Sequence, residues 1–140
     1  MGCADSDNWI VPPSHARLLW RTSWCALVSA IYATTLRKYD FAALSSIAFL
    51  TSLNHWRAPQ YSWRRRIDIC AVYIALSYHL YKASAAEYGI AYFALTGAGV
   101  TSYFAGVLLY DQKYMLASVY AHAAVHIFAN IANMILYSGS

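Results

Sequence analysis

The sequence predicts an all-α integral membrane bundle of five transmembrane helices, and three observations carry that prediction. Of the 140 residues, 60% are hydrophobic and only 11% are charged, against roughly 25% charged in an ordinary soluble domain. Asp, Glu, Lys and Arg fall in clusters that separate long uncharged runs. Those runs are continuously apolar and do not alternate, which is the pattern of spanning helices and not of barrel strands. A chain this short makes one domain. Its composition excludes intrinsic disorder and a nucleic-acid module. The three cysteines, Cys3, Cys25 and Cys70, form no C-x-x-C pair, so neither a disulfide framework nor a redox motif is expected.

A spanning helix needs about 20 residues. The first is expected over about residues 16–37, where the uncharged stretch 22–36 extends backward past Arg21 through Leu18 and Trp20 and a long basic chain can snorkel. The second, about 40–57, is short, which predicts a thin or water-indented bilayer edge. The third, about 67–86, keeps Asp68 and Lys82 near its ends. The fourth, about 88–110, and the fifth, about 113–137, are long enough unaided. Residues 1–15 are then an N-terminal segment and 16–140 a single transmembrane domain. Trp20, Trp56, Trp63, Tyr81, Tyr88, Tyr110 and Tyr114 stand near the span ends, as an interfacial aromatic belt does.

With five spans, the N-terminus shares a side with the second and fourth loops. That side holds Arg17, Arg21, Arg57, Arg64, Arg65, Arg66 and Lys113, and the other holds Arg37, Lys38 and Lys82. Basic residues favour the cytoplasmic side, so the N-terminus is expected in the cytoplasm. The run Arg64-Arg65-Arg66 is most simply such a determinant, touching anionic headgroups. The opening Met1-Gly2-Cys3-Ala4-Asp5-Ser6 fits N-myristoylation at Gly2 with palmitoylation at Cys3.

Ionisable groups inside a membrane are costly and usually functional. His55 closes the second helix and Asp68 opens the third. His122 and His126 lie on the fifth at i, i+4 and so share a face. The up-and-down order brings all four to one leaflet. Polar or small residues continue each face: Ser118, His122, His126, Asn130 and Asn133 on the fifth, and Ser45, Ala48, Ser52 and His55 on the second. Three imidazoles suit a zinc ion that keeps a fourth position for water. Bound zinc lowers the pKa of that water to about 7. Asp68 is then the expected general base, with Ser52 or Thr51 at the oxyanion. His79 reads as a packing histidine, and Gly97, Gly99 and Gly106 as sites of close helix approach.

This order of Thr51 or Ser52 with His55, then Asp68, then His122-Ala-Ala-Val-His126 resembles the CREST superfamily, which includes the alkaline ceramidases and the progestin and adipoQ receptors. The resemblance covers roughly Ser45 to Asn130. It implies zinc held by the three histidines, with the aspartate and a hydroxyl assisting at the metal-bound water. That family has seven helices where five are expected here.

The leading expectation is therefore a membrane protein with a cytoplasm-facing zinc site that hydrolyses an amide or ester in a lipid. The first rival is a non-enzymatic accessory subunit, whose polar stripes pair with a partner helix or a second copy. The second is a haem-binding electron carrier, with His55 and His122 or His126 as axial ligands. Membrane lipids are partners in every case, and nucleic acid in none.

Overall fold

The computed structural model describes residues 9–140. Gly2 and Cys3, the expected lipidation positions, lie outside the described residues. Six helical segments follow one another: α1 (Pro13–Thr22), α2 (Trp24–Thr35), α3 (Tyr39–Trp56), α4 (Trp63–Ala83), α5 (Gly89–Asp111) and α6 (Met115–Ser138). No strand is present among the described residues beyond an isolated bridge between Trp9 and Gln60.

The first expected helix is divided into α1 and α2. Thr22 and Ser23 both turn their hydroxyls back onto the Leu19 carbonyl, at 3.1 and 2.8 Å. Such local bonding competes with the backbone ladder and bends helices. The start moves up to Pro13, whose fixed φ suits the first helical turn. The helix expected from about residue 67 begins at Trp63 instead, because Arg64, Arg65 and Arg66 join its first turn. Arginine is a good helix former, so the charge cluster is helix and not loop.

Two helices end in the same device. After α2, Arg37 takes φ 59°. The Lys38 N–H then reaches the Ala33 carbonyl at 2.9 Å, and that of Arg37 reaches Thr34 at 3.0 Å. After α5, Lys113 takes φ 68°. There the Tyr114 N–H reaches Leu109 at 2.8 Å and that of Lys113 reaches Tyr110 at 2.9 Å. Both are Schellman motifs built without glycine.

The helices run up and down, so the connections gather at two ends. At one end, the Ile10 N–H donates to the Pro59 carbonyl at 2.8 Å, joining the N-terminal segment to the α3–α4 connection. At the other, Lys38 donates to Ser140 at 2.8 Å, the Glu87 N–H donates to the Gly139 carbonyl at 2.9 Å, and Lys82 pairs with Asp40 at 3.9 Å. Each end has its own packed core. Val11, Leu19, Trp56 and Val119 belong to the first, and Phe41, Tyr92, Leu136 and Tyr137 to the second.

The widest interface is the antiparallel pair α5–α6. A Cβ on Gly106 would meet the Ser118 carbonyl at 3.4 Å and the Ala121 Cβ at 3.5 Å, and one on Gly99 would meet the Phe128 Cβ at 3.6 Å. Glycine at these points lets the backbones approach, and Ser118 Oγ uses that closeness to donate to the Gly106 carbonyl at 2.8 Å. Gly97 differs from its expected role, because it faces open space with nothing within 4 Å. Among the described residues, α5 and α6 are long and apolar enough to cross a membrane by length and composition, each with mean hydropathy 1.4.

Candidate functional site

Between the two packed ends lies a cavity of about 670 Å³ with largely apolar walls. Ser52, His55, Asp68, His122 and His126 all line it. The up-and-down order produces this convergence. The last turn of α3 brings Ser52 and His55, the first turns of α4 bring Asp68, and the first half of α6 brings the two remaining histidines. His55 is 3% exposed and Asp68 8%. Thr51 alone among the expected residues is not a wall residue; it reaches Asp68 from beside the cavity.

Asp68 is held by α3. Ser52 Oγ donates to its Oδ1 at 2.7 Å and Thr51 Oγ1 to the same oxygen at 3.0 Å. The two hydroxyls expected at an oxyanion are thus directed at the carboxylate. Their effect is to fix its position and to tie α4 to α3.

His126 is set by the bend between α1 and α2. Its Nδ1 lies 3.3 Å from Thr22 Oγ1 and 3.5 Å from Ser23 Oγ. Both hydroxyls also lie within hydrogen-bond distance of the Leu19 carbonyl; they hold the imidazole through Nδ1 and leave Nε2 free of these contacts. One turn along, Asn130 donates to the His126 carbonyl at 2.7 Å and accepts from Ser29 at 2.8 Å, joining α6 to α2.

The ring centroids of His122 and His126 are 5.4 Å apart. Two imidazoles on one tetrahedral zinc have centroids about 5 Å apart, from bonds near 2 Å. The pair therefore has the spacing for a shared ion. His55 Nδ1 is buried and has no hydrogen-bond partner, which leaves one nitrogen of the third imidazole uncommitted. The three do not combine: among the described residues no group of three His, Cys, Asp or Glu side chains stands close enough to hold one metal. Trp56 contacts His55 and His122, at 4.4 and 5.1 Å between ring centroids. The residues as placed form a histidine pair and a separate histidine, and do not fit the three-donor set.

The far end of the cavity is closed by a directed hydrogen-bond chain. His79 Nδ1 faces the Ala75 carbonyl, which can only accept, so that nitrogen carries the proton. Its Nε2 then accepts from Tyr137 Oη at 2.8 Å. Tyr137 in turn accepts from Ser45 Oγ at 2.7 Å. Three helices, α3, α4 and α6, are clasped by side chains that are 0–3% exposed. The residue expected to be a packing histidine has a defined tautomer and two partners.

Several wall residues escaped the sequence reading. Trp56 had a signal, since it is the neighbour of His55. Tyr103, 6.1 Å from His122 between ring centroids, sits on an apolar helix with nothing in the pattern to mark it. Arg65 was hidden among three consecutive arginines, yet it alone of the three lines the cavity.

No protein-family model matches this chain, and neither curated proteins nor solved structures give a match. The likeness to the CREST superfamily rests on the quoted residues alone.

Proposed function

We propose that this chain is a multi-pass membrane protein, N-terminus in the cytoplasm, that takes one lipid-sized amphiphile into its bundle. The observation that carries this reading is the cavity. Its volume of about 670 Å³ lies in the range of about 300–1,000 Å³ typical of small-molecule sites. Apolar walls suit an acyl chain, and His55, Asp68, His122 and His126 at one end suit a polar headgroup. The inside-out distribution supports the membrane setting. Ser45, Ser52, His55, Asp68 and His79 are buried, while Leu50 is 62% exposed, Ile74 63% and Ile90 89%. In water such a surface would be an association hazard, whereas in lipid it is the expected one.

The test is photolabelling of the purified, reconstituted protein with a monoacylglycerol whose acyl chain bears a diazirine. The expected result is saturable labelling of one probe per chain at cavity residues. Ala48→Phe and Ala75→Phe, which fill the cavity from α3 and α4, abolish it while retaining helical circular dichroism. Labelling that does not saturate, or that both folded variants preserve, overturns the reading.

A second reading, hydrolysis of an amide or ester at the polar end, draws on the spacing of His122 and His126 alone, since His55 stands apart from that pair. It depends on zinc. Its test is metal content. A stoichiometric ion lost on His122→Ala supports it, and a metal-free wild-type protein purified without chelator defeats it.

A further inference from the structure

The cavity wall carries a cation, Arg65, that no carboxylate of the described residues matches. Arg65 and Asp68 are three apart on α4, a spacing at which opposite charges on a helix commonly pair. They do not pair here. Asp68 is turned toward α3 by Ser52 and Thr51. The Arg65 guanidinium lies over the Tyr61 ring instead, 5.4 Å from its centroid. The ion pair between Lys82 and Asp40 is the only one among the described residues, so none of their carboxylates lies within salt-bridge distance of Arg65.

The start of α4 adds to this. Its first turn contains no acidic residue, and Ser62 at the N-cap makes no side-chain capping bond. Ser62 Oγ is itself buried without a partner. An uncapped helix start presents free N–H groups and the positive end of the helix dipole. An independent observation points the same way. His55, on the same cavity wall and 97% buried by its 3% exposure, has an unpartnered Nδ1. A buried polar atom without a partner is costly, and a hydrogen bond with a ligand atom removes that cost.

We infer that the amphiphile this cavity receives carries an oxyanion headgroup, a carboxylate or a phosphate, paired with Arg65 and hydrogen-bonded by His55 at the start of α4. This assignment rests on the cavity reading above and names the ligand class for it. Asp68 and His122 line the same end, and the engagement of the Asp68 carboxylate by two hydroxyls is what leaves room for a second anion. Arg64 and Arg66 play no such part: Arg64 lies over Trp63, 5.8 Å from the ring centroid, and neither lines the cavity.

The experiment measures binding of four probes to the reconstituted full chain: 1-palmitoylglycerol, palmitate, 1-palmitoyl lysophosphatidate and inorganic phosphate. The neutral and anionic amphiphiles share one chain length and differ at the headgroup. A charge-assisted pair predicts at least one anionic amphiphile binding roughly 10-fold tighter or more than the neutral one. Which of the two gains identifies carboxylate or phosphate. Arg65→Gln is expected to remove the advantage of the anionic over the neutral amphiphile, and Arg66→Gln, outside the cavity wall, to preserve it. Equal affinities for the neutral and anionic probes overturn the headgroup assignment and leave the cavity reading standing. Arg65-dependent binding of inorganic phosphate, with no preference among amphiphiles, assigns the cation to a soluble anion and also overturns it. Failure of all three amphiphiles to bind overturns the cavity reading, and this inference with it.

Discussion

At the scale of single residues, the bundle is decided by where a few protons and a few backbone angles go. Tyr137 is the middle of the chain from Ser45 to His79, and removing its hydroxyl strands a buried donor and a buried acceptor at once. Tyr137→Phe is therefore expected to destabilise the protein by about 1–3 kcal/mol. Ser45→Ala removes only the outermost donor, because Tyr137 still donates to His79, and is expected to cost about 1 kcal/mol. Denaturation of the two variants in mixed micelles checks the order, and equal losses would mean that the chain is not directed as described. The backbone angles give the opposite sign. Arg37 and Lys113 hold a left-handed conformation that costs a non-glycine residue about 1–2 kcal/mol. Lys113→Gly should stabilise the fold by about 1 kcal/mol, once the greater freedom of glycine in the unfolded chain is subtracted, and so raise the melting midpoint. A lowered midpoint would show that the Lys113 side chain contributes more than its strain costs.

At the scale of elements, α5 and α6 are the pair that sets the geometry of the histidine face. Gly106 sits against the Ser118 carbonyl and the His122 N–H, 3.4 and 3.7 Å from where its Cβ would be. Gly106→Leu must push the helices apart. It is expected to cost about 1–3 kcal/mol, the usual range for an overpacked contact, and to displace His122. Gly97→Leu faces open space on the same helix and is expected to be close to neutral. Thermal unfolding compares the pair, and a Gly97 variant as damaged as the Gly106 variant would refute the packing account. The same two glycines mark what the sequence made legible. Charge clusters located α3, α5 and α6 closely, because a long apolar run between charges has few alternatives. They misplaced the start of α4, where the arginines belong to the helix, and they hid the bend at Ser23, which comes from two hydroxyls inside an uncharged run. Spacing placed His122 and His126 on one face and His55 with Asp68 at one end. It gave no hold on ring orientation, which here depends on Thr22, Ser23 and Trp56. That is why a convergence of four residues was readable while their separation into a pair, a lone histidine and a clasped carboxylate was not.

At the scale of the whole molecule, one question governs the rest: whether the apolar exterior meets lipid. The bundle carries its own probe of this in Cys70, which lies on α4 on the outside of the bundle and is exposed. A thiol on a water-facing helix reacts with a hydrophilic maleimide, whereas one facing acyl chains is shielded from it. In a Cys3→Ser, Cys25→Ser background, Cys70 is expected to resist a membrane-impermeant maleimide in sealed vesicles and to react after denaturation in SDS. Ala58→Cys in the α3–α4 connection and Ser84→Cys in the α4–α5 connection extend the test to orientation. Ala58→Cys should label only when the reagent is admitted to the cytoplasmic side, and Ser84→Cys only from the opposite side, because α4 joins those two connections. Rapid labelling of Cys70 in intact vesicles would mean that α4 stands in water. The inside-out distribution would then need a protein partner to cover it, and the accessory-subunit alternative would replace the lipid-filled bundle. Labelling of both engineered sites from one side would return α4 to that side of the membrane and separate Asp68 from the histidines of α6.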